Sequence, residues 1–393
     1  MSASTLSFQA LDTLFFRESR PFEAIGGSEL SSLFPPPPRT LMGAVRTAIG
    51  DALGADWNLF GDAKENYTLP DGRKLYDLIG YGDKLGGLSL HGIWLTLNGE
   101  RLYPAPLFLL QHGEEYKRLK IGEAKKGASN NLGNTRLPEL PDKVASGQPL
   151  ENTWLTAAGL DAVLCGNVPT KDQIYSAGQL FEREPRLGIA RNNDTRTAID
   201  GLLYQSEHVR PKNDLTIEAD ISGLPDNFGI TRKMVRLGAE GRLAGIQSKP
   251  SCSHPASPQP DTNSRGLILM LMSTAHLKQR WLPDGFNEQP EIQNGITVWR
   301  GVVEGIALTL HSAVIGKAQR EGGWNMAIRA PRPAESLVPA GSAYYCTVDN
   351  GNHAEAIAAL HGKQIGSDQN LGRGIIFCGL WQQNEFNLSG EQQ

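Results

Sequence analysis

The sequence predicts an α+β chain built from two ferredoxin-like units, and three observations carry that expectation. In the C-terminal part, strand signals at 267–272, 297–303, 343–348 and 374–381 and helix signals at 275–281 and 353–361 follow the order β-α-β-β-α-β. The N-terminal part reads alike, with strand 6–17, helix 39–53, hairpin 86–97, helix 170–182 and strand 215–221. The length, 393 residues, corresponds to two or three domains at ~150 residues each. The units are expected over 1–225, with insertions at about 106–165 and 183–212, and over 226–393.

Taken in order, the first strand ends in the run Leu14-Phe15-Phe16-Arg17. Side chains alternate along a strand, so at most one of the two phenylalanines is expected to face a ligand. Phe34 and four prolines, Pro35–Pro38, hold an extended chain and lead into a helix, whose first turn tolerates proline. From Arg39 to Leu53, Leu41, Val45, Ala48 and Ala52 share one face at 100° per residue. Arg39, Gly43, Arg46 and Gly50 form the opposite stripe. Glycine there costs helix stability but lets another backbone come close, and arginine's fork of donors matches phosphate. An ordinary solvated helix face is the competing reading.

Residues 114–143 are polar and mixed in charge, as in a surface insertion. Residues 183–212 read as a turn-rich β segment with six basic residues, Arg183, Arg186, Arg191 and Arg196 among them, interleaved with Tyr204. Glu182, Glu184, Asp194 and Asp200 neutralise much of that charge, so RNA contact and a plain exposed hairpin both fit. The clearest basic stretch is 230–249, where Arg232, Lys233, Arg236, Arg242 and Lys249 face Glu240 alone. Four prolines and four serines between Lys249 and Arg265 predict a flexible linker. Between the last helix and strand, Gly362, Gly366, Gly372 and Gly374 can turn backbone N–H groups inward as an anion-binding concavity, with Lys363 and Arg373 adding charge. A glycine-rich turn explains the same spacing, and no Walker A or G-x-G-x-x-G motif is present.

Composition narrows the function classes. Glycine makes up 44 of the 393 residues, above the usual ~7%, in keeping with many turns or close backbone approaches. The net charge of −4 confines any nucleic-acid contact to local basic patches. Four scattered cysteines without a C-x-x-C pair point to a reduced, cytoplasmic setting and to neither a disulfide framework nor a zinc ribbon. No signal peptide, membrane span, metal-ligand spacing, nucleophile elbow or cofactor motif is read, so the expectation is no cofactor, no metal and no catalytic residue. His91, His208 and His311 are expected to be hydrogen-bonded structural histidines.

The run Leu11-Asp12-Thr13-Leu14-Phe15-Phe16-Arg17-Glu18-Ser19-Arg20-Pro21-Phe22 resembles the opening of RAMP-superfamily proteins, specifically the third Cmr subunit of type III-B (Cmr-type) CRISPR effector complexes. The stretch from Phe34 to Thr47, Glu184–Ile189, Gly201–Tyr204 with Val209-Arg210, Val338–Ser342 and the C-terminal glycine loop continue the likeness in order. One departure is Gly238-Ala239-Glu240-Gly241-Arg242, where the family runs Gly-Gly-Glu-Gly-Arg. The resemblance implies two RRM-like RAMP domains and a β-hairpin thumb around 183–212. It implies a non-catalytic subunit that holds the repeat-derived 5′ handle of the crRNA and bridges the large polymerase/cyclase-like subunit to the repeating backbone subunit. Target RNA would be met through the complex, in antiviral defence. The residues expected at RNA are Arg17, Arg20, Arg39, Gly43, Arg46, Arg186, Arg191, Arg242, Gly366, Gly372, Arg373 and Gly374. Phosphate contacts hold a guide irrespective of its spacer, while Phe15, Phe16 or Tyr204 would stack on bases. The alternative is a RAMP endoribonuclease that cleaves repeat RNA, with His361 as its general base.

Overall fold

The structure, a computed structural model, describes residues 4–18, 29–123, 132, 134–141, 144–225, 228–231, 233–290, 296–349 and 351–382. Among them, helices are few and most strands pair antiparallel. An eight-stranded sheet and a six-stranded sheet dominate.

In the first sheet, β1 (Ser4–Ala10), α1 (Pro38–Ala52), β2 (Ser89–Leu97) and β3 (Glu100–Pro104) come first. Further along the chain lie β4 (Thr153–Leu155), α2 (Ala157–Leu164) and β5 (Ile174–Ser176). The hairpin β6 (Phe181–Arg191) and β7 (Ala198–Pro211) leads to β8 (Leu215–Ser222), β9 (Lys233–Arg236) and β10 (Leu243–Lys249). The strand order is β5-β4-β3-β2-β8-β1-β10-β9, with β6 and β7 standing apart from this sheet. β9 and β10 lie beyond the expected boundary at 225, yet β10 pairs with β1 from Thr5↔Lys249 to Ala10↔Ala244.

The second sheet contains β11 (Ser264–Leu271), β12 (Asn287–Pro290), β13 (Thr297–Val303), β14 (Ile306–Val314), β15 (Ala343–Val348) and β16 (Ile376–Gln382). Its order is β12-β13-β14-β15-β11-β16, and α3 (His353–Leu360) joins β15 to β16.

Local chemistry accounts for these elements. Pro37 precedes α1 in an extended conformation, Pro38 starts the helix, and Leu41, Val45, Ala48 and Ile49 are buried on one face. They pack against Leu6 and Phe8 of β1. The opposite side of β1 is polar and equally buried. Thr5 donates to Asp220 at 2.7 Å, and Arg101 bridges Asp220 and Glu218 at 2.9 and 3.0 Å. The Pro/Ser-rich stretch after Lys249 has no regular structure, but it is anchored: His254 lies 4.8 Å from the Trp94 ring and 5.4 Å from the Phe377 ring. Burial holds this imidazole down at about 4, so it is neutral at physiological pH. Helix α2, capped by Thr156, packs Leu160, Val163 and Leu164 against Ile268, Met270 and Phe377. A helix from the N-terminal half therefore covers one face of the second sheet.

Several expected elements change. The strand expected over 6–17 stops at Ala10; Leu14 and Arg17 make single bridges only. The helix expected at 170–182 is replaced by a 3-10 turn (Lys171–Gln173), β5 and one helical turn (Ala177–Leu180). Two capping boxes, Thr170 with Gln173 and Ser176 with Gln179, start a helix twice within seven residues, and β5 is drawn into pairing with β4. The helix expected at 275–281 is absent, because Ala275 and His276 bridge Val338 and Ser367. Strands β10 and β14 were not expected as such. The hairpin at 183–212 is present, paired from Phe181↔Pro211 to Arg191↔Ala198.

Candidate nucleic-acid interface

Arg39, Gly43 and Arg46 of the α1 stripe face a cleft of about 580 Å³ between the two halves, whereas Gly50 is buried against Trp57. Arg39, Gly43 and Arg46 line it together with Arg236 of β9 and Arg332, so four guanidiniums meet one lining carboxylate, Asp83. A Cβ at Gly43 would touch nothing within 4 Å, which leaves that turn of helix open to a ligand's approach. Arg46 donates to the Gly82 carbonyl at 3.1 Å, and burial draws it below the usual guanidinium range while Asp83 opposes the shift. Arg39 reaches Glu335 at 3.3 Å, Asp368 at 3.6 Å and Asp83 at 3.7 Å, and Arg332 pairs with Asp83.

An arm between Gln319 and Leu337 forms the far wall. It carries Trp324, Met326 and Ile328, which are 57%, 78% and 70% exposed. Trp57 of the short helix Trp57–Ala63 sits across the same cleft. Guanidiniums beside an exposed indole match a single-stranded nucleic acid, whose phosphates need charge and whose bases need a stacking face. Arg236 belongs to the basic stretch read at 230–249, whereas Arg332, Trp324 and Asp83 were missed. The one local signal for the arm is a run of large apolar residues at 324, 326 and 328 directly after Gly322-Gly323.

The glycine loop behaves differently. Gly366, Gly372 and Gly374 adopt φ of +82°, +68° and +70°, as left-handed positions require. A Cβ at Gly366 would lie 2.5 Å from the His276 carbonyl oxygen, at Gly372 3.1 Å from the Gly92 nitrogen, and at Gly374 1.9 Å from the Ile365 oxygen. The protein's own backbone thus fills the concavity read as an anion site. Leu90 N–H donates to the Asn370 carbonyl at 2.9 Å, so the loop docks onto β2. Arg373 corrects the expectation further. It is fully buried, donating to Glu321 at 2.6 Å and Thr274 at 3.0 Å, and no part of it reaches solvent.

At the hairpin base, Arg186 pairs with Glu184 at 2.6 Å, Arg210 with Asp12 at 2.8 Å, and Arg242 with Asp12 at 3.5 Å. Hydrogen bonding from Arg210 holds the Asp12 carboxyl below its ordinary range. Arg191 is exposed toward the tip, beside Leu187 (74% exposed) and Ile189 (56%). Arg17 is exposed and bridges Ser32 through its backbone. Arg20, Arg232 and the Tyr204 side chain lie outside what is described. Phe15 and Phe16 are both 2% exposed, so neither faces a ligand. Phe15 stacks on His208 at 4.9 Å, and Phe16 lies beside Phe34 at 6.5 Å. The expected alternation fails because these residues are outside any regular strand. Gly238, at φ +94°, brings the following turn against this segment, with Ala239 N–H donating to the Phe15 carbonyl.

The four histidines singled out from the sequence, His91, His208, His311 and His361, have partners. His91 meets Ser222 at 2.7 Å, His208 meets Thr13 at 3.1 Å and Glu240 at 3.0 Å, and His311 meets Thr347 at 2.9 Å. His361 stacks on Phe377 at 4.6 Å, accepts the Cys378 N–H at 3.2 Å and lies 3.1 Å from the Pro255 carbonyl. Both its ring nitrogens are engaged by backbone, which leaves neither to take a proton from a substrate. His276, Glu335 and Asp368 bring ligand atoms within 4.8 Å of one another, but Arg39 already supplies positive charge there. No helix of the described residues is long and apolar enough to cross a membrane.

Comparison with known proteins places the chain. No curated protein sequence matches it. Among solved structures it is similar to a chain of a type III-B Cmr-beta complex bound to cognate target RNA, with 16% identity, 87% of this chain and 86% of that chain covered, and a TM-score of 0.46. A chain of that complex bound to target RNA and AMPPnP gives 15%, 87%, 86% and 0.45. A chain of a type III-A Csm3–Csm4 subcomplex gives 9%, 87%, 92% and 0.34. The sequence model of CRISPR-associated protein Cas_Cmr3 matches residues 6–381. With that match running through both sheets, the chain belongs to the Cas_Cmr3 family of CRISPR-associated proteins.

Proposed function

We propose that this subunit turns over no substrate and holds the 5′ handle of the crRNA in the arginine-lined cleft, bridging the large polymerase/cyclase-like subunit to the repeating backbone subunit. Target RNA is met through the assembled complex. The observation that carries this reading is the convergence of Arg39, Arg46, Arg236 and Arg332 on one cleft with an exposed Trp324 at its wall. Gly43 lets RNA backbone approach the helix, and the exposed tip of the 181–211 hairpin serves as the thumb. Phosphate contacts of this kind hold a guide regardless of the spacer that follows. The engaged nitrogens of His361 favour this reading over RNA cleavage.

In the same reading each sheet is a ferredoxin-like unit. The first runs β10-β1-β8-β2 at its centre and the second β16-β11-β15-β14, both matching the order fourth, first, third, second. The first unit keeps the helix after its first strand, and the second keeps the helix after its third. The boundary then falls within the segment after Lys249.

The test is binding of handle RNA across a salt series by the full chain and by Arg39→Ala with Arg46→Ala. Removing one arginine–phosphate pair flattens the slope of log K against log salt by about 0.7, so the double variant is expected to flatten it by about twice that. An unchanged slope removes both arginines from the RNA seat.

A further inference from the structure

Two of the four arginines of the cleft, Arg39 and Arg332, are already held by carboxylates. Arg39 of α1 is held by Glu335 of the arm and Asp368 of the glycine loop, while Asp83, on the body, holds Arg332 of the arm. Asp83 also reaches Arg39 at 3.7 Å. These contacts form a reciprocal pair of ion pairs across the cleft, one running from body to arm and the other from arm to body. The carboxylates are accessible: Asp83 is 58% exposed, and Glu335 and Asp368 are each 30% exposed. Ion pairs of that exposure are weak and exchange readily for a better anion. A carboxylate and a phosphate offer the same planar-fork arginine the same kind of acceptor.

Other candidates carry less. The cavity of about 290 Å³ behind Pro35–Pro38 has mostly apolar walls and nothing that selects an occupant. The His276, Glu335 and Asp368 trio is already served by Arg39, and the exposed Leu187 and Ile189 of the hairpin tip show nothing that covers them.

We infer that Asp83, Glu335 and Asp368 are an internal stand-in for phosphate, a built-in competitor that must be displaced when RNA enters the cleft. This rests on the cleft being the RNA seat. Any polyanion gains from bare arginines, but only an RNA whose remaining contacts also fit compensates for losing the carboxylates. A competitor that every RNA must displace lowers all their affinities by one factor, so a poorly fitting RNA falls out of the working range while a well-fitting one stays bound. The same exchange unties the outer part of the arm, which carries Arg332, from the body, while the arm's base stays held through Glu321 and the buried Arg373.

The experiment compares the full chain with Asp83→Asn, Glu335→Gln and, as a charge control, Asp71→Asn. Asp71 pairs with Arg73 at the surface and lines no part of the cleft. The probes are a labelled handle RNA and an oligouridylate of equal length, titrated over a salt series. Asp83→Asn is expected to tighten oligouridylate binding about two- to fivefold and to steepen its salt slope by about 0.7 per freed guanidinium. Handle RNA should tighten by a similar factor, because both RNAs displace the same carboxylate. Glu335→Gln should act in the same direction, and Asp71→Asn should leave both affinities unchanged. Weaker or unaltered oligouridylate binding in both cleft variants, alongside a clear loss of handle binding in Arg39→Ala with Arg46→Ala, overturns this inference while leaving the RNA seat in place. No loss in the arginine variant overturns the seat itself, and the inference with it. A thermal unfolding midpoint for each variant separates impaired binding from impaired folding.

Discussion

The two glycine-bearing segments of this protein look alike in sequence and serve opposite ends. Both α1 and the loop after α3 place glycine beside arginine, and both satisfy the chemistry of a phosphate cradle. On α1 the glycine faces open space and the arginines line a cleft. In the loop, each glycine at 366, 372 and 374 is pressed against the chain's own backbone, and the arginine is sealed in an ion pair with Glu321. Glycine marks a close approach, and the sequence does not say whether the neighbour is a ligand or the protein itself. What separates the two is the neighbour across the gap: α1 faces solvent between two halves, whereas the loop is where the halves join.

That contrast can be broken at its closed end first. Glu321→Ala leaves the Arg373 guanidinium buried without its main partner, and loss of one member of such a pair costs about 3–5 kcal/mol. Thermal or denaturant unfolding should show the loss, and a variant as stable as the parent would mean that solvent reaches Arg373. Next in size comes Gly374→Ala. A left-handed alanine costs about 1–3 kcal/mol, and a Cβ there lies 1.9 Å from the Ile365 oxygen, so the unfolding midpoint should drop clearly. Gly43→Ala should do the reverse. In an open helical position alanine stabilises by about 0.5–1 kcal/mol, while its methyl group stands where RNA backbone would approach. A higher midpoint with weaker RNA binding is expected, and unimpaired binding would mean that the ligand keeps clear of that turn.

The smallest effect belongs to the hairpin base, which lies between these extremes. Asp12 is half exposed and joins Arg210, Arg186 and Arg242. Its folded-state pKa is depressed, first by hydrogen bonding from Arg210. Its contribution is therefore present above the unfolded value near 3.8 and is lost as pH falls through the lower folded value. Asp12→Asn should lower stability at neutral pH by less than about 1 kcal/mol, given solvent screening. The difference from the parent should vanish in strong acid. An equal difference at both pH values would assign the effect to packing instead.

Strands at 215–222, 264–271, 297–303, 343–348 and 376–382 and helices at 38–52 and 353–360 were legible because each carries its own periodicity and burial on one or two faces. The hairpin of 181–211 and the Arg39, Gly43 and Arg46 stripe were legible for the same reason. Residues 170–182 and 275–281 had helical spacing, yet they pair with distant segments, since a strand bridge made elsewhere outweighs a weak local preference.

By itself the sequence determined the mixed strand and helix content, the open face of α1, the family likeness and the absence of a recognised catalytic motif. Each of these is written in neighbouring residues or in short spacings. Only the tertiary structure decided that Arg332 and Trp324 join Arg39 across a cleft, that Phe15 and Phe16 are both core, and that Arg373 is spent on Glu321. Those outcomes depend on which surfaces meet across more than fifty residues of chain. Whether an arginine ends beside water or beside a carboxylate is set by that meeting, because burial makes an unpaired charge too costly to keep.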